Sequence, residues 1–379
     1  MVKRVHYIGW YITPNSWGKY NCVVAGMMKM RYVADQIQKT GCDLHILSLV
    51  EKQAAGIYCG QNEEFEGKHI HYSGGAGSNN LLMGRLDRII KHITFILYII
   101  FRTSRKDLIV LYHSYYYTKL LANLKRFFKR DVVIEVEEIY GYNALGDMPW
   151  VDDEISQIKR FKKFTCVNDG IPQILGLNPE DYVVIYGSAV FPKRTMDRFN
   201  DGKVHVVYSG TLDYRKMGGP MALEVARLLS SQYMLHVTGY ARNPEDEVAI
   251  KKRISEINAE FGEERIRYEG FLSEEDLHKL LFSCHIGLSP NVLRPNFANS
   301  TFPSKIVSYM CHDLALVISY ATAYDFPISE GWVFYHEQTP ECIAEAVMKA
   351  EVKPIGYYVS RLEKMNENVL AFFREQLSR

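Results

Sequence analysis

Runs of β-branched and aromatic residues alternate with stretches of helix length along the whole chain, the pattern of parallel sheets covered by helices. In the first half the runs predict strands at Arg4 to Tyr11, Asp43 to Leu49, Leu108 to His113, Val132 to Val136, Phe164 to Val167 and Val183 to Tyr186. Helices are expected in the gaps, notably over Val23 to Thr40 and Tyr117 to Arg130. Between Val190 and Gly202 the periodicity stops and the polar stretch F-P-K-R-T-M-D-R-F-N-D-G places an interdomain linker. Alternation resumes with strands at Val204 to Tyr208, Met234 to Thr238, Ile266 to Tyr268, Ile286 to Ser289 and Ala315 to Ser319. Helices are expected over Pro220 to Ser230, Glu245 to Phe261 and Pro303 to about Cys311, and from Ser273, with Asp276 three residues on, to about Phe282. Leu362, Met365, Val369 and Phe372 recur at helical steps in a closing helix from Val359.

The chain has 379 residues, of which 45 are basic and 44 acidic, with 47% apolar and 13% aromatic. Length predicts two domains, and the composition excludes disorder, collagen and a globally basic nucleic-acid binder. The opening run is broken by His6 and followed by Pro14, Asn15 and Lys19, so it reads as a first strand rather than a signal peptide. Cys22, Cys42, Cys59, Cys166, Cys284, Cys311 and Cys342 are scattered without a C-x-x-C pair, and are expected to be reduced packing residues of a cytosolic protein. The longest apolar run, Ile93 to Phe101, is about half of the roughly 20 residues a spanning helix needs.

One stretch departs from the balanced charge. Residues 85–130 carry eleven basic side chains against Asp87 and Asp107, interleaved with Ile89, Phe95, Leu97, Phe101, Phe127 and Phe128. The segment fits either an anionic lipid surface or a pair of helices with solvated basic faces.

Candidate chemistry concentrates in the second half. H-V-V-Y-S-G-T-L-D-Y-R-K-M-G-G-P at 205–220 is a strand, a glycine turn at Gly210, two cations at Arg215 and Lys216, and a glycine pair opening a helix. Glycines admit close backbone approach and the cations suit a diphosphate. N-S-T-F-P-S-K-I-V-S-Y-M at 299–310 sets Pro303 at a helix start, with Ser304 and Lys305 forming a second anion cradle. In the first half, E-V-E-E-I-Y-G-Y at 135–142 offers Glu138 or Glu137 as an acceptor base or sugar ligand. The pairs His69 with His71 and Asp152 with Asp153 lack the further spaced ligands of a metal site.

In their order, four pieces of the second half resemble the nucleotide-binding domain of GT-B glycosyltransferases, especially the retaining, family 4-like enzymes of bacterial polysaccharide assembly. They are G-T-L-D-Y-R-K, V-T-G-Y at 237–240, Y-E-G-F-L-S-E-E-D-L at 268–277 and F-P-S-K-I-V-S-Y-M at 302–310. The resemblance implies an α/β protein of two Rossmann-like domains whose parallel sheets face a central cleft. It divides the chain into an acceptor domain at 1–189, a linker at 190–203, a nucleotide-sugar domain at 204–354 and a helix at 355–379 that crosses back. It implies a donor site at Gly210, Thr211, Arg215, Lys216, Gly239, Tyr240, Phe271, Leu272, Ser300, Thr301, Phe302, Pro303, Ser304, Lys305 and Ser308. Main chain at Phe271 and Leu272 would meet the base. Many relatives carry glutamates at the positions of Ser300 and Ser308, so this chain departs from the pattern beside the donor sugar and the ribose.

The strand D-L-I-V-L-Y-H at 107–113 resembles the family's strand ending in a histidine that faces the donor sugar, which implies His113. The loop G-W-Y-I-T-P-N-S-W-G-K at 9–19 resembles the one that shapes the acceptor pocket, implying Trp10, Asn15 and Trp17. The implied activity is transfer from a nucleotide-diphosphate sugar, UDP-linked, to a glycan or lipid-linked acceptor, with His113 and Glu138 as catalytic candidates. No metal and no cofactor is expected, because helix termini and cations would neutralise the leaving diphosphate. A non-catalytic subunit of the same fold and a sugar-nucleotide epimerase are the rivals. A dinucleotide dehydrogenase is disfavoured, since no G-x-G-x-x-G follows the first strand.

Overall fold

Two open sheets lie in sequence along the chain. A computed structural model describes all residues except 1, 2, 22, 78–80, 128, 213, 215, 216, 242, 292, 293 and 379. The first sheet contains β1 (Arg4–Gly9), β2 (Asp43–Ser48), β3 (Gln61–Phe65), β4 (Lys68–Tyr72), β5 (Leu108–Tyr112), β6 (Asp131–Val136), β7 (Lys163–Cys166) and β8 (Tyr182–Val184), in the spatial order β8-β7-β6-β5-β1-β2-β4-β3. All neighbours are parallel except the hairpin β3–β4 at the edge. The second sheet contains β9 (Val204–Ser209), β10 (Tyr233–Thr238), β11 (Ile266–Gly270), β12 (Ile286–Ser289), β13 (Ala315–Ser319) and β14 (Val333–Tyr335), all parallel, in the order β11-β10-β9-β12-β13-β14. That is the doubly wound order of a dinucleotide-type fold, and the first sheet repeats it with an added edge hairpin.

The strands form where apolar runs of four to six residues can be covered on both faces. β5 and β12 are buried almost throughout, as central parallel strands should be. The helices are α1 (Val24–Gln38), α2 (Leu81–Arg102), α3 (Tyr115–Leu124), α4 (Val151–Ile158), α5 (Gly170–Leu175), α6 (Gly218–Leu228), α7 (Pro244–Phe261), α8 (Glu274–Ser283), α9 (Pro295–Ser300), α10 (Lys305–Cys311), α11 (Pro340–Met348) and α12 (Val359–Ser378). Ser273 caps α8 by accepting the Asp276 N–H, as its spacing predicts.

The helix expected from Pro303 starts instead at Lys305. Pro303 serves as the carbonyl acceptor of Ile306 N–H in the turn before it, and α9 occupies the preceding residues. The helix expected to run to Arg130 ends at Leu124, beyond which the chain forms turns. The hairpin β3–β4 carries polar residues on its outer strand, Q-N-E-E-F, which hides its alternation from a hydrophobic reading.

Residues 190–200 are irregular, and α12 packs on α1, β8 and α10. One core runs from the first sheet through Leu362, Val369 and Phe373 of α12 into Ile306, Val307 and Tyr309 of α10. The halves also meet through Asn168, which is buried. Its Oδ1 accepts the N–H groups of Gly170 and Ile171 at the start of α5, and its Nδ2 donates to the Thr301 carbonyl at 2.8 Å. A Cβ on Gly170 would sit 2.1 Å from the Asn299 carbonyl oxygen, so glycine is needed for this approach. Asn168→Ala leaves buried N–H groups without a partner and is expected to lower stability by about 1–3 kcal/mol, read as a lower unfolding midpoint in a thermal melt.

Candidate functional site: a cleft at the two switch points

In each sheet the winding direction reverses between a pair of adjacent strands, β1 with β5 and β9 with β12. Crevices open there, outside the carboxyl ends of the strands. Loops from those ends meet across the halves. Asn296 of α9, which follows β12, donates to Asp147 of the loop after β6 at 2.8 Å, and α5, which follows β7, packs on α9.

On the second sheet the crevice is lined, among the described residues, by glycine backbone and the Lys305 cation. A Cβ on Gly239 would fall 1.8 Å from the Gly210 carbonyl oxygen, so the turns after β9 and β10 touch backbone to backbone. Gly239 has a φ of +141°, which also favours glycine. The Lys305 ammonium lies over the Tyr208 ring, 4.1 Å from its centroid, and 3.1 Å from where a Gly210 Cβ would be. Tyr208 is fixed through its hydroxyl to the Thr211 carbonyl, and Ser209 N–H donates to the Tyr309 hydroxyl of α10. The Gly210 and Gly239 N–H groups donate to the Thr238 and Gly270 carbonyls, so the charge this turn offers to a phosphate is the Lys305 ammonium beside it. Tyr240 and the exposed Phe271 stand edge to face, 6.2 Å apart, at the ends of β10 and β11. Leu272 is half-buried beside them.

Arg215 and Lys216 lie outside the described residues. Pro303 and Ser304 lie in the turn before α10, the first half-buried and the second exposed. Ser300 is fully buried and its hydroxyl donates to the Phe297 carbonyl of its own helix, as the Thr301 hydroxyl does. Phe302 packs among Tyr186, Tyr324 and Trp332 and is a core residue. Ser300 and Phe302, both expected at the donor, have their side chains engaged inside the protein. Ser308 is half-buried, and its carbonyl accepts from His312 Nδ1.

On the first sheet, His113 follows β5 at the switch point but turns inward. It is buried, with Nδ1 at 2.7 Å from Thr118 Oγ1 and Nε2 at 2.8 Å from Glu154 Oε1. The Glu154 carboxylate also accepts the N–H groups of Tyr140 and Gly141. Both ring nitrogens are engaged, and through Glu154 His113 orders the 138–141 loop. Glu138 lies half-buried at the head of that loop. Trp10 packs edge-on against Tyr112 and Tyr117, while Asn15 and Trp17 are exposed.

Behind these residues sits a buried charged group. Glu135 is fully buried and accepts from the Tyr7 hydroxyl; Glu137, two residues on, pairs with Lys29 at 3.1 Å. Lys29 also donates to the Ile185 carbonyl. Burial, reinforced by the neighbouring Glu137, holds the Glu135 carboxyl above its ordinary value of 4.5. Burial and Glu137 likewise push the Tyr112 hydroxyl well up. Sequence reasoning passed over Lys29, Asn168 and Glu154. Their signal was a charged or amide residue on an otherwise apolar face, as in M-M-K-M at 27–30.

No family model matches the sequence, and no curated protein matches it. Solved structures share its fold over nearly the whole chain. An E. coli trehalose-6-phosphate protein bound with UDP-2-fluoro glucose superposes with a TM-score of 0.67 at 9% identity, covering 99% of this chain and 97% of that one. A UDP-forming α,α-trehalose-phosphate synthase from Burkholderia xenovorans gives 0.64 at 13% identity, with 100% and 99% covered. The catalytic domain of starch synthase IV from Arabidopsis thaliana, bound to ADP and acarbose, gives 0.64 at 10% identity, with both chains covered in full. The fold is therefore the GT-B arrangement, and at these identities the likeness carries the fold alone.

The raised Glu135 has a measurable consequence. Its folded state keeps a proton that the unfolded chain releases, so stability is full below about 4.5 and declines as pH rises through the raised folded value. Glu135→Gln, which keeps the shape without the charge, is expected to flatten that decline in unfolding midpoints measured from pH 5 to 9, and an unchanged slope would contradict the assignment.

Proposed function

We propose that the protein is a glycosyltransferase that takes a sugar from a nucleotide diphosphate, UDP-linked, and passes it to a glycan or lipid-linked acceptor in cell-surface polysaccharide synthesis, with retention at the anomeric carbon. The observation that carries the reading is the Lys305 ammonium set against the glycine turn at Gly210 and Gly239, at the switch point of the second sheet. The named ligands of the neighbours support it: UDP-2-fluoro glucose in one, ADP with acarbose in another, and glycosyl transfer with retention in a study of trehalose-6-phosphate synthase.

In this reading the diphosphate lies on the turns after β9 and β10. Lys305, with Arg215 and Lys216 as the resemblance implies, stabilises the negative charge that grows as the glycosidic bond to phosphate breaks. Tyr240 and Phe271 flank the base. The acceptor enters from the first sheet, between the exposed loop of Asn15 and Trp17 and the 138–141 loop, where Glu138 or Glu137 accepts the hydroxyl proton. His113 and Glu154 act as positioning residues for that loop. The cations carry the charge of the departing diphosphate, so the reading requires no metal in the cleft. Closure of the halves excludes water that would otherwise hydrolyse the donor.

α2 supports a membrane-surface location. Its outer face exposes Leu81, Leu82, Ile89, Ile93, Leu97 and Phe101, with Arg85, Arg88, Arg102, Arg105 and Lys106 also exposed on and just beyond the helix. Among the described residues no helix is long and apolar enough to cross a membrane. A stripe of this kind, rimmed by cations, fits the interface of an anionic bilayer, where a lipid-linked acceptor is found.

The rival is a non-catalytic subunit of this fold, favoured by Ser300 and Ser308 standing where relatives carry glutamates. Release of free nucleotide that depends on added acceptor separates the two, and no release across a full panel of donors and acceptors rejects the enzyme. Lys305→Met is expected to weaken binding of the donor by about 10- to 100-fold in calorimetry while the ligand-free melting point stays close to that of the parent. Ile93→Glu with Phe101→Glu is expected to abolish co-sedimentation with anionic vesicles and leave donor binding intact.

A further inference from the structure

At the opposite end of the first sheet from the cleft, register brings together side chains that are far apart in sequence. His45 of β2 is paired with His69 of β4, and His69 with Glu64 of β3. Asp43 lies two residues before His45 on the same strand and therefore on the same face. The His45 and His69 rings stack 4.7 Å apart, with His45 Nε2 at 2.9 Å from Asp43 Oδ2 and His69 Nε2 at 3.5 Å from Asp43 Oδ1. The three potential ligand atoms all lie within 4.8 Å of one another.

We propose that Asp43, His45 and His69 form a binding site for a divalent transition-metal ion, zinc in the first instance, which clamps β2 to the edge hairpin. Two donors bound at about 2.0–2.1 Å to one tetrahedral zinc stand about 3.3 Å apart, close to the 2.9 and 3.5 Å of the two histidine–carboxylate pairs. Two imidazoles and one carboxylate suit zinc better than magnesium or calcium, which prefer oxygen ligands alone. His69 is also oriented as a ligand should be. Its Nδ1 lies 3.2 Å from Glu64 Oε1, which leaves Nε2 directed to the shared point, the carboxylate–histidine arrangement that fixes the ring and raises its basicity. All three side chains are partly exposed, so an ion can enter and a water can complete the coordination.

One group opposes the ion. Arg4 Nε lies 3.2 Å from Asp43 Oδ2 and competes for that oxygen. The hairpin that the ion would brace also carries Glu63, which accepts the hydroxyls of Thr13 and Ser16 in the loop after β1. Metal binding would therefore stiffen the support of a loop that borders the cleft, without touching the cleft itself.

The test is a zinc chloride titration of the full chain, first stripped with a chelator and then followed by thermal melting and by the metal content after desalting. One zinc per chain and a raised melting point are expected. His69→Ala should lower the affinity at least tenfold, Glu64→Gln should lower it less while leaving the metal-free melting point unchanged, and Arg4→Met should raise it. Absence of zinc binding by the parent chain overturns the proposal, as does undiminished binding in the His45→Ala and His69→Ala double variant. Because the readouts are binding and melting, the outcome is independent of whether the cleft transfers sugar.

Discussion

A parallel sheet whose winding reverses leaves two connections departing in opposite directions, and no helix covers the gap between them. Both sheets here reverse once, β1 against β5 and β9 against β12, and each reversal opens at the carboxyl ends of its strands. Glycine backbone lines one of these crevices, and aromatic and polar packing lies beside the other. Gly210 and Gly239 meet backbone to backbone in the second sheet. Trp10, Tyr112 and His113 crowd the reversal of the first. The site follows from topology before any single side chain is considered.

The polar groups behind the cleft are held to one arrangement by the cost of leaving them unpaired. Glu154 is fully buried and accepts from His113, Tyr140 N–H and Gly141 N–H, so removing any partner would strand a charge in a low-dielectric setting. The same logic fixes Lys29, which divides its donors between Glu137 and the Ile185 carbonyl. These groups turn a flexible strand end into a loop of defined shape. Glu154 also explains why His113, expected in the cleft, is found with its ring nitrogens engaged inside the protein. The polarity that made it look functional is the polarity that lets it satisfy buried neighbours.

Much of the fold was legible because apolar runs with β-branched residues can only be buried strands when both faces are covered. Ile286–Ser289 and Ala315–Ser319 match their expected bounds residue for residue. The hairpin at 61–72 was not legible, since Gln61, Asn62, Glu63 and Glu64 face water, neighbouring hydroxyls or imidazoles at a sheet edge and show no apolar alternation. The glycine turns and Lys305 were visible as motifs, because close backbone approach restricts residue type locally. The positions of Lys29 and Glu154 were hidden, because each is explained only by partners more than ten residues away, and the bond of Asn168 Nδ2 to Thr301 was hidden for the same reason.

Local chemistry was enough to set the strands, the helices, the doubly wound class and the glycine turns with their cations, since each depends on periodicity or on backbone freedom within a few residues. Folding was needed to say which candidates face one another. Parallel register alone set His45 beside His69, whose spacing of 24 residues carries no metal signature, and covering by α3 and α4 alone engaged both ring nitrogens of His113. The physical reason is the same in each case. Side-chain type is inherited from sequence, while the partners that satisfy or exploit it are assigned by which strands pair and which helices cover them.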